Sequence, residues 1–430
     1  HIYTVDIHSI FAVGEIAKLW AGEYAEQKPL LTKTALDIEK RELLLLAVLF
    51  HDIGKGEGKN HSEKGAVLVR TISRRMGLNK EDSLRLEFLV RHHLDMAHIS
   101  QRRDLHDDKL IDQFAKTMEM TENLKMLFLL TFADLKAVGP DVWSEWKGFL
   151  LQELFQKTYD AMERGNFRAD IRSERVRNRK RKVFDNLTED YDPKAIKAHL
   201  RAMGNRYLLS HRSVEITEHL KVQLSRQKNP LALHIEHRHE EEYTQVIVST
   251  LDIPGLFSKI AGVMAANGIN ILGAQIYTHK NGEALDLLQV RGPSGGILDD
   301  PRKWKRVQTD ISSVIEGRKR VDELVVKSKP PSFMIEKVKP KYPSRVEIDN
   351  EVSDEYTVID IYTDDKVGLL YQITKAIKEL GLFISVSKIS TKVDQVADTF
   401  YVQDIFGQKV TQPEKIEELK KILIEAVEKD

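Results

Sequence analysis

The stretch Leu43-Leu44-Leu45-Leu46-Ala47-Val48-Leu49-Phe50-His51-Asp52-Ile53-Gly54-Lys55-Gly56 joins two things that normally exclude each other. Eight apolar residues without a polar face predict a buried helix. They run straight into an imidazole beside a carboxylate, a pair whose burial costs several kcal/mol unless something compensates. The compensation this points to is a metal ion. Gly54 and Gly56 then end the helix next to Lys55, a cation placed for a phosphate oxygen that also contacts the metal.

Composition bounds the rest. A chain of 430 residues is too long for one core and predicts roughly two to four domains. Lys plus Arg and Asp plus Glu both number 66, so no global charge draws the chain to nucleic acid or to an anionic membrane. With no cysteine, disulfides and thiolate zinc sites are excluded, and any metal must be held by histidines and carboxylates. The longest apolar run is far short of the roughly 20 residues that span a bilayer, and no signal peptide precedes His1, so a soluble cytoplasmic protein is expected. The chain opens on His1 with a motif already under way, which suggests a piece of something longer.

From His1 to Phe167 the period is helical. In Asp6 to Trp20 apolar residues recur three and four apart, with His8 near the helix start. The helix ending in His51-Asp52 follows, then Asn60-His61-Ser62-Glu63-Lys64-Gly65-Ala66, a polar turn leading into an amphipathic helix through Arg75. Leu84 to Leu94 carries His92-His93, and Leu124 to Val138 carries Asp134. A lone histidine on such a helix is usually a hydrogen-bonded core residue, and a lone His-His pair is usually solvated. What sets this segment apart is the ordered set His8, His51-Asp52, His92-His93 and Asp134, each on an apolar helix. Adjacent helical residues point about 100° apart, so His92 and His93 cannot both approach one ion head-on. His61 divides between a second-metal or catalytic role and a turn residue, and Lys55 between a phosphate contact and a surface lysine.

The pattern His8, His51-Asp52, Asp134 resembles the HD superfamily of metal-dependent phosphohydrolases. The longer strings His1-Ile2-Tyr3-Thr4-Val5-Asp6-Ile7-His8, His51-Asp52-Ile53-Gly54-Lys55-Gly56 and His61-Ser62-Glu63-Lys64-Gly65-Ala66 are similar to the family of bifunctional enzymes that add uridylyl groups to the PII nitrogen signal protein and remove them. The similarity extends over the whole chain. It implies a phosphodiesterase that releases UMP from uridylylated PII with one or two divalent ions, Mg or Mn. His8, His51, Asp52 and Asp134 would hold one ion, and His61 with His92 or His93 would hold a second or orient the substrate, with Asp52 as a bridge. Lys55 would offset charge on the phosphate. That family's nucleotidyltransferase domain, with its Gly-Ser and paired-Asp signature, is not found in this stretch, so uridylyl transfer is not assigned to it.

Between Arg168 and Glu242 the character shifts. The run Arg168 to Lys182 is strongly basic but lacks aromatic interleaving, so it reads as a solvated or bridging helix face rather than a nucleic-acid site. Residues 168–242 are expected to form a helical connector, with His237-Arg238-His239-Glu240-Glu241-Glu242 marking its exit.

Beyond Glu242 the period alternates and an internal repeat appears at a constant offset of 113 residues, matching Asp252 with Asp365, Gly255-Leu256 with Gly368-Leu369, and Gly268 with Gly381. Each copy reads strand, glycine turn, amphipathic helix, glycine, strand, followed by a hairpin and a later helix. The proline-rich 329–342 is expected to be a linker or edge strand. The pattern is similar to ACT domains, α+β ferredoxin-like βαββαβ modules that bind amino acids where two copies pack side by side. Gly255 or Gly368 would let N–H groups at a helix start face a ligand carboxylate. Asp252, Gly255, Leu256 and Asn270 in the first copy, and Asp365, Gly368 and Leu369 in the second, are the candidate effector residues; Phe383 stands where Asn270 would recur. The resemblance implies glutamine as the effector, coupled to the metal site, and an oligomer formed through the ACT modules is compatible with it.

The expected architecture is an all-α HD-type domain over 1–167, the connector over 168–242, and ACT domains over 243–335 and 336–430. Two other functions stay open: hydrolysis of a guanosine polyphosphate alarmone under ACT control, and amino-acid sensing by a chain whose HD domain is inactive.

Overall fold

The computed structural model describes every residue except 1–2, 58–59, 140–141, 165–168, 227–228, 294, 329–342, 365, 367, 390, 393–394 and 429–430. Outside the described residues therefore lie the candidate effector residue Asp365, the proline-rich 329–342, the first two residues of the opening motif and the expected boundary at 167. The chain divides into two compact units, residues 1–165 and 166–430.

The regular structure described in the first unit is helical: α1 (Val5–Ala21), α2 (Pro29–Leu36), α3 (Arg41–Phe50), a 3-10 turn (Lys55–Glu57), α4 (His61–Arg75), α5 (Lys80–His92), α6 (Asp95–Arg102), α7 (Asp108–Met118), α8 (Thr121–Ala137) and α9 (Glu145–Arg164). Its centre is α8, buried at every position from Asn123 to Leu135 except Lys125. Around it pack α1, α3 and α5, each through a stripe spaced three and four apart: Ala12, Ile16 and Leu19; Leu43, Leu44, Ala47 and Val48; Leu86, Leu89 and Val90. Each such leucine contributes about 1.5–3 kcal/mol of burial. The leucine-rich α3 is not buried all round, since Leu49 is 40% exposed. Its buried stripe runs on into His51, four residues beyond Ala47, and the imidazole is carried into the core with it.

In the second unit α10 (Ala169–Leu187), α11 (Pro193–Ala202), α12 (Asn205–Ser210) and α13 (Ser213–Arg226) precede β1 (Leu231–Arg238), β2 (Tyr243–Leu251), α14 (Leu256–Ala266), β3 (Asn270–Thr278), β4 (Glu283–Arg291), α15 (Pro301–Ile315) and α16 (Val321–Ser328). The second copy follows as β5 (Arg345–Asp349), β6 (Thr357–Asp364), α17 (Leu369–Glu379), β7 (Phe383–Lys388), β8 (Thr391–Lys392), β9 (Gln395–Gln403) and α18 (Pro413–Glu428). All described strand pairs are antiparallel, in the order β1-β2-β4-β3-β7-β9-β6-β5, with β8 on β9. The two α+β copies thus meet edge to edge, β3 against β7, in one continuous sheet.

Two expectations are corrected. The connector does not run to 242, because Leu231–Arg238 is a strand paired residue for residue with β2. Each copy therefore reads ββαββα: the strand beside the first βα unit comes before it in the chain rather than after the last helix, in β1 and again in β5. Nor is the rest of the connector a free bridge. Val183, Leu187, Ile196, Leu200 and Ile216 pack with Ala232, Ile247, Leu285 and Leu287, so α10 to α13 form a helical layer on one face of the first copy's sheet. The other face is covered by α14 and α15.

Candidate functional site

Five segments of the first unit converge on Asp52. His8 comes from α1, His51 caps α3, His61 opens α4, His93 caps α5 and Asp134 lies near the end of α8. Local backbone geometry brings α4 close. A Cβ on Gly54 would lie 2.1 Å from the His61 carbonyl oxygen and 2.7 Å from the Gly65 nitrogen, so the turn after Asp52 rests directly on the first turn of α4. That contact holds His61 beside Asp52.

The side chains form two groups that share one carboxylate. In the first, His8 Nε2 lies 3.1 Å from His51 Nε2 and 3.0 Å from Asp134 Oδ1. Asp52 Oδ2 is 3.3 Å from His51 Nε2 and 3.7 Å from His8 Nε2, and Asp134 Oδ1 is 3.5 Å from His51 Nε2. In the second, Asp52 Oδ1 is 3.6 Å from both His61 Nε2 and His93 Nε2. Each of the sets His8, His51, Asp52 and Asp52, His61, His93 has geometry that could hold a metal ion.

Orientation of the imidazoles follows from the backbone. His51 Nδ1 donates to the Val48 carbonyl and His93 Nδ1 to the Val90 carbonyl, each at 2.7 Å. The proton on Nδ1 leaves the Nε2 lone pair facing Asp52, as a metal ligand requires. His61 Nε2 and His93 Nε2 are buried with no hydrogen-bond partner among the described residues, a cost a cation would remove. The residues present therefore fit a divalent ion with mixed nitrogen and oxygen ligands.

Electrostatics point the same way. Burial raises the carboxyls of Asp52 and Asp134, but their partners outweigh it and hold both well below the usual range: His51, His93 and Lys55 at Asp52, His51 and His8 at Asp134. Burial lowers the His51 imidazole, yet Asp134 and Asp52 outweigh it and hold it up at about 10, so that Nε2 carries a proton a metal ion would have to displace to use its lone pair. Two buried anions make this a place that draws positive charge. Burial and the nearby His93 lower the His61 imidazole, which favours its neutral form. Solvent reaches the group on the side of Lys55 and His61, whose side chains are 22% and 23% exposed against 1% for Asp52. The Lys55 ammonium pairs with Asp52.

His92 is not brought into the group. Its Nδ1 donates to Asp95 at 2.7 Å and its ring packs on Phe88, which corrects its candidacy as a metal ligand in favour of His93. Sequence reading also missed the Val48 and Val90 carbonyls that aim the two imidazoles, since a backbone acceptor leaves no mark in side-chain spacing.

In the second unit Gly255 and Gly368 are the N-caps of α14 and α17, at φ +71° and +82°, conformations that favour glycine. Leu256 and Leu369 follow them into the core. The other candidates divide between the two ends of the β3–β7 seam. Asp252 accepts from Thr278 Oγ1 at 3.0 Å, at the end of β3 where β7 begins with Phe383. Asn270 starts β3 at the opposite end, on the side where β6 runs out toward Gly368. Asn270 and Asp252 are thus some eight strand residues apart, roughly 25 Å, and do not share one ligand. Sequence reading also missed Lys378, whose side chain reaches from the second copy onto Gly255.

The HD domain family model matches residues 5–130, the ACT domain model residues 244–291, and an ACR9-like, ACT-like domain model residues 345–430. Curated proteins described as bifunctional uridylyltransferase/uridylyl-removing enzymes align with the chain from end to end. That of Azospirillum brasilense is 35% identical over 430 residues, 99% of this chain and 46% of its own length. Those of Rhodospirillum rubrum and Gluconobacter oxydans are 34% and 35% identical, again over 99% of this chain and over 46% and 45% of their own lengths. The chain matches the HD and ACT domains and is similar throughout to bifunctional uridylyltransferase/uridylyl-removing enzymes, and it spans about half the length of these curated relatives.

Proposed function

We propose that this chain is a divalent-metal phosphodiesterase that releases UMP from the uridylylated PII signal protein, under control of glutamine bound to its ACT pair. The observation that carries the reading is the single carboxylate, Asp52, shared by two imidazole-bearing groups at the solvent-facing edge of a helical core. The HD match and the relatives' printed activity support a hydrolase of this kind. His8, His51, Asp52 and Asp134 would hold one ion, and Asp52, His61 and His93 a second, with Mg or Mn as the proposed metals. When bound, such ions lower the pKa of water and offset charge on phosphate oxygens.

The chain's own groups do the rest. Asp52 presents one oxygen to each cluster, and the carbonyls of Val48 and Val90 keep two imidazole lone pairs facing it. Lys55, at the open side, is placed to move from Asp52 to a phosphate oxygen of the substrate. Water attacks phosphorus as the bond to the oxygen of the modified PII tyrosine breaks, and that oxygen takes up a proton of the water, giving UMP and unmodified PII. Because a phenol has a pKa of about 10, the leaving oxygen needs little help from a general acid. Glutamine control needs only about 1–3 kcal/mol of differential affinity between two states of the chain.

The test is UMP release from uridylylated PII by this chain and by Asp52→Ala, with and without glutamine. Metal-dependent release that is lost in the variant is expected. An inactive wild-type chain carrying its full metal content would overturn the hydrolase reading, and a rate indifferent to glutamine would overturn the regulatory one.

A further inference from the structure

The apolar cluster that holds the helical layer on the sheet draws, on the sheet side, on the first copy: Ala232, Ile247, Tyr277, Leu285 and Leu287. Arg206 of α12, half-buried, reaches further. Its guanidinium lies 5.4 Å from the ring centroid of Tyr277 and 4.9 Å from that of Tyr356. Tyr277 is on β3 of the first copy, and Tyr356 directly precedes β6 of the second. In the order β3-β7-β9-β6 those strands are three spacings apart, roughly 14 Å across the seam. A single cation therefore sits between two rings that belong to different copies.

Each ring is held by its own surroundings. The Tyr277 hydroxyl donates to Gln275 Oε1 at 2.9 Å and lies 3.2 Å from His211 Nε2. Tyr356 is buried with Val358, Val386 and Tyr401. Attraction between a cation and a ring acts within about 6 Å of the centroid, so a slip of about 1 Å along the seam weakens one contact or both.

The helix that carries Arg206 is tied in turn to its neighbours in the layer. The Tyr207 hydroxyl is 2.9 Å from His219 Nδ1 on α13, and Arg179 of α10 donates to the Leu208 carbonyl. Arg179 belongs to the basic run Arg168 to Lys182, which gives part of that charge a use other than solvation. In the chain, α10 is the helix that follows α9 of the first unit.

We propose that α12 is the relay between the ACT pair and the metal site: Arg206 is a positioning residue that senses the alignment of the two copies, and Arg179 passes a displacement of α12 to α10. This rests on glutamine control of the hydrolase and deepens it by naming the route. A ligand that realigns the copies changes the Arg206 contacts between two states, and such a difference is what a population shift requires.

The experiment measures UMP release from uridylylated PII by the metal-loaded full chain with and without glutamine, beside glutamine binding by calorimetry and hydrogen exchange of α10 peptides. In wild type, glutamine should change the rate by about 5-fold to 150-fold, the usual range for coupled sites, and should alter exchange in α10. Arg206→Met keeps the apolar stem without the charge, and Tyr356→Leu removes the second copy's ring. Both should bind glutamine within about threefold of wild type, yet respond to it by less than about twofold in rate and with no change in α10 exchange. Tyr356→Phe, which keeps the ring, should keep the wild-type response. An Arg206→Met or Tyr356→Leu chain that retains the full response, or that loses glutamine binding itself, overturns the relay while leaving glutamine control intact. A wild-type chain whose rate ignores glutamine overturns the control on which the relay rests.

Discussion

Asp286 of β4 is fully buried and neither carboxylate oxygen has a hydrogen-bond partner among the described residues, so replacing it by asparagine should stabilise the second unit, by an amount that depends on pH in a stated direction. The carboxyl is held up at about 8 in the fold against an ordinary value of 3.8. Because the folded value is the higher one, stability is fully present below pH 3.8 and drains away as the pH rises toward 8. At about 1.4 kcal/mol per pH unit, the wild-type chain gives up about 4 kcal/mol by pH 7, which the neutral asparagine does not lose. The amide and the protonated acid are both neutral polar groups in the same surroundings, so their desolvation largely cancels. Urea unfolding of wild type and Asp286→Asn from pH 4 to 8, followed by hydrogen exchange of peptides spanning β2 to β4, measures the difference. It should be small at pH 4, widen steadily, and level off near pH 8. A gap that does not change with pH, or a variant less stable than wild type at pH 8, would refute the burial argument.

Asp52→Ala removes the carboxylate common to both groups in the first unit, so metal content measured after dialysis should fall at both positions rather than at one; retention of a full ion would mean that Asp52 bridges nothing. His93→Ala should reduce metal-dependent hydrolysis at least tenfold, whereas His92→Ala, which removes a partner of Asp95 and a ring packed on Phe88, should leave it within about twofold; equal effects of the two would place the wrong histidine in the site. Gly54→Ala forces a Cβ against the His61 carbonyl and should cost about 1–3 kcal/mol of stability, together with the second metal position, by thermal unfolding and metal analysis; an unchanged metal content would show that α4 does not depend on this contact.

Much of the first unit was legible because each chemistry-bearing residue ends or interrupts an apolar stripe. His51 continues the line of Ala47 and Val48, and Asp134 interrupts a helix that is otherwise apolar at nearly every buried position. The choice between His92 and His93 was legible too, in retrospect. His93 lies seven, four and three residues after Leu86, Leu89 and Val90, on the buried stripe of α5, and His92 does not. What hid β1 was its charge: Leu231, Leu233 and Ile235 alternate as a strand should, but the histidines, Glu236 and Arg238 between and after them read as an exit loop. Charge of this kind is how an edge strand resists pairing with other chains, and β1 is the edge of the sheet.

The burial of Asp286 was beyond a one-dimensional reading for a different reason. An alternating strand normally has a wet face, so Asp286 within Ala284-Leu285-Asp286-Leu287-Leu288 looks like an ordinary solvent-facing position. In the fold no such face exists, because α10 to α13 cover the side of Leu285 and Leu287 while α14 and α15 cover the side of Ala284 and Leu288. Asp286 lies on the α14 and α15 side, so those helices and not the connector layer seal its carboxylate away from water. The connector layer acts on the opposite face, where α10 to α13 bury Leu285 and Leu287 that a one-sided sheet would leave in water.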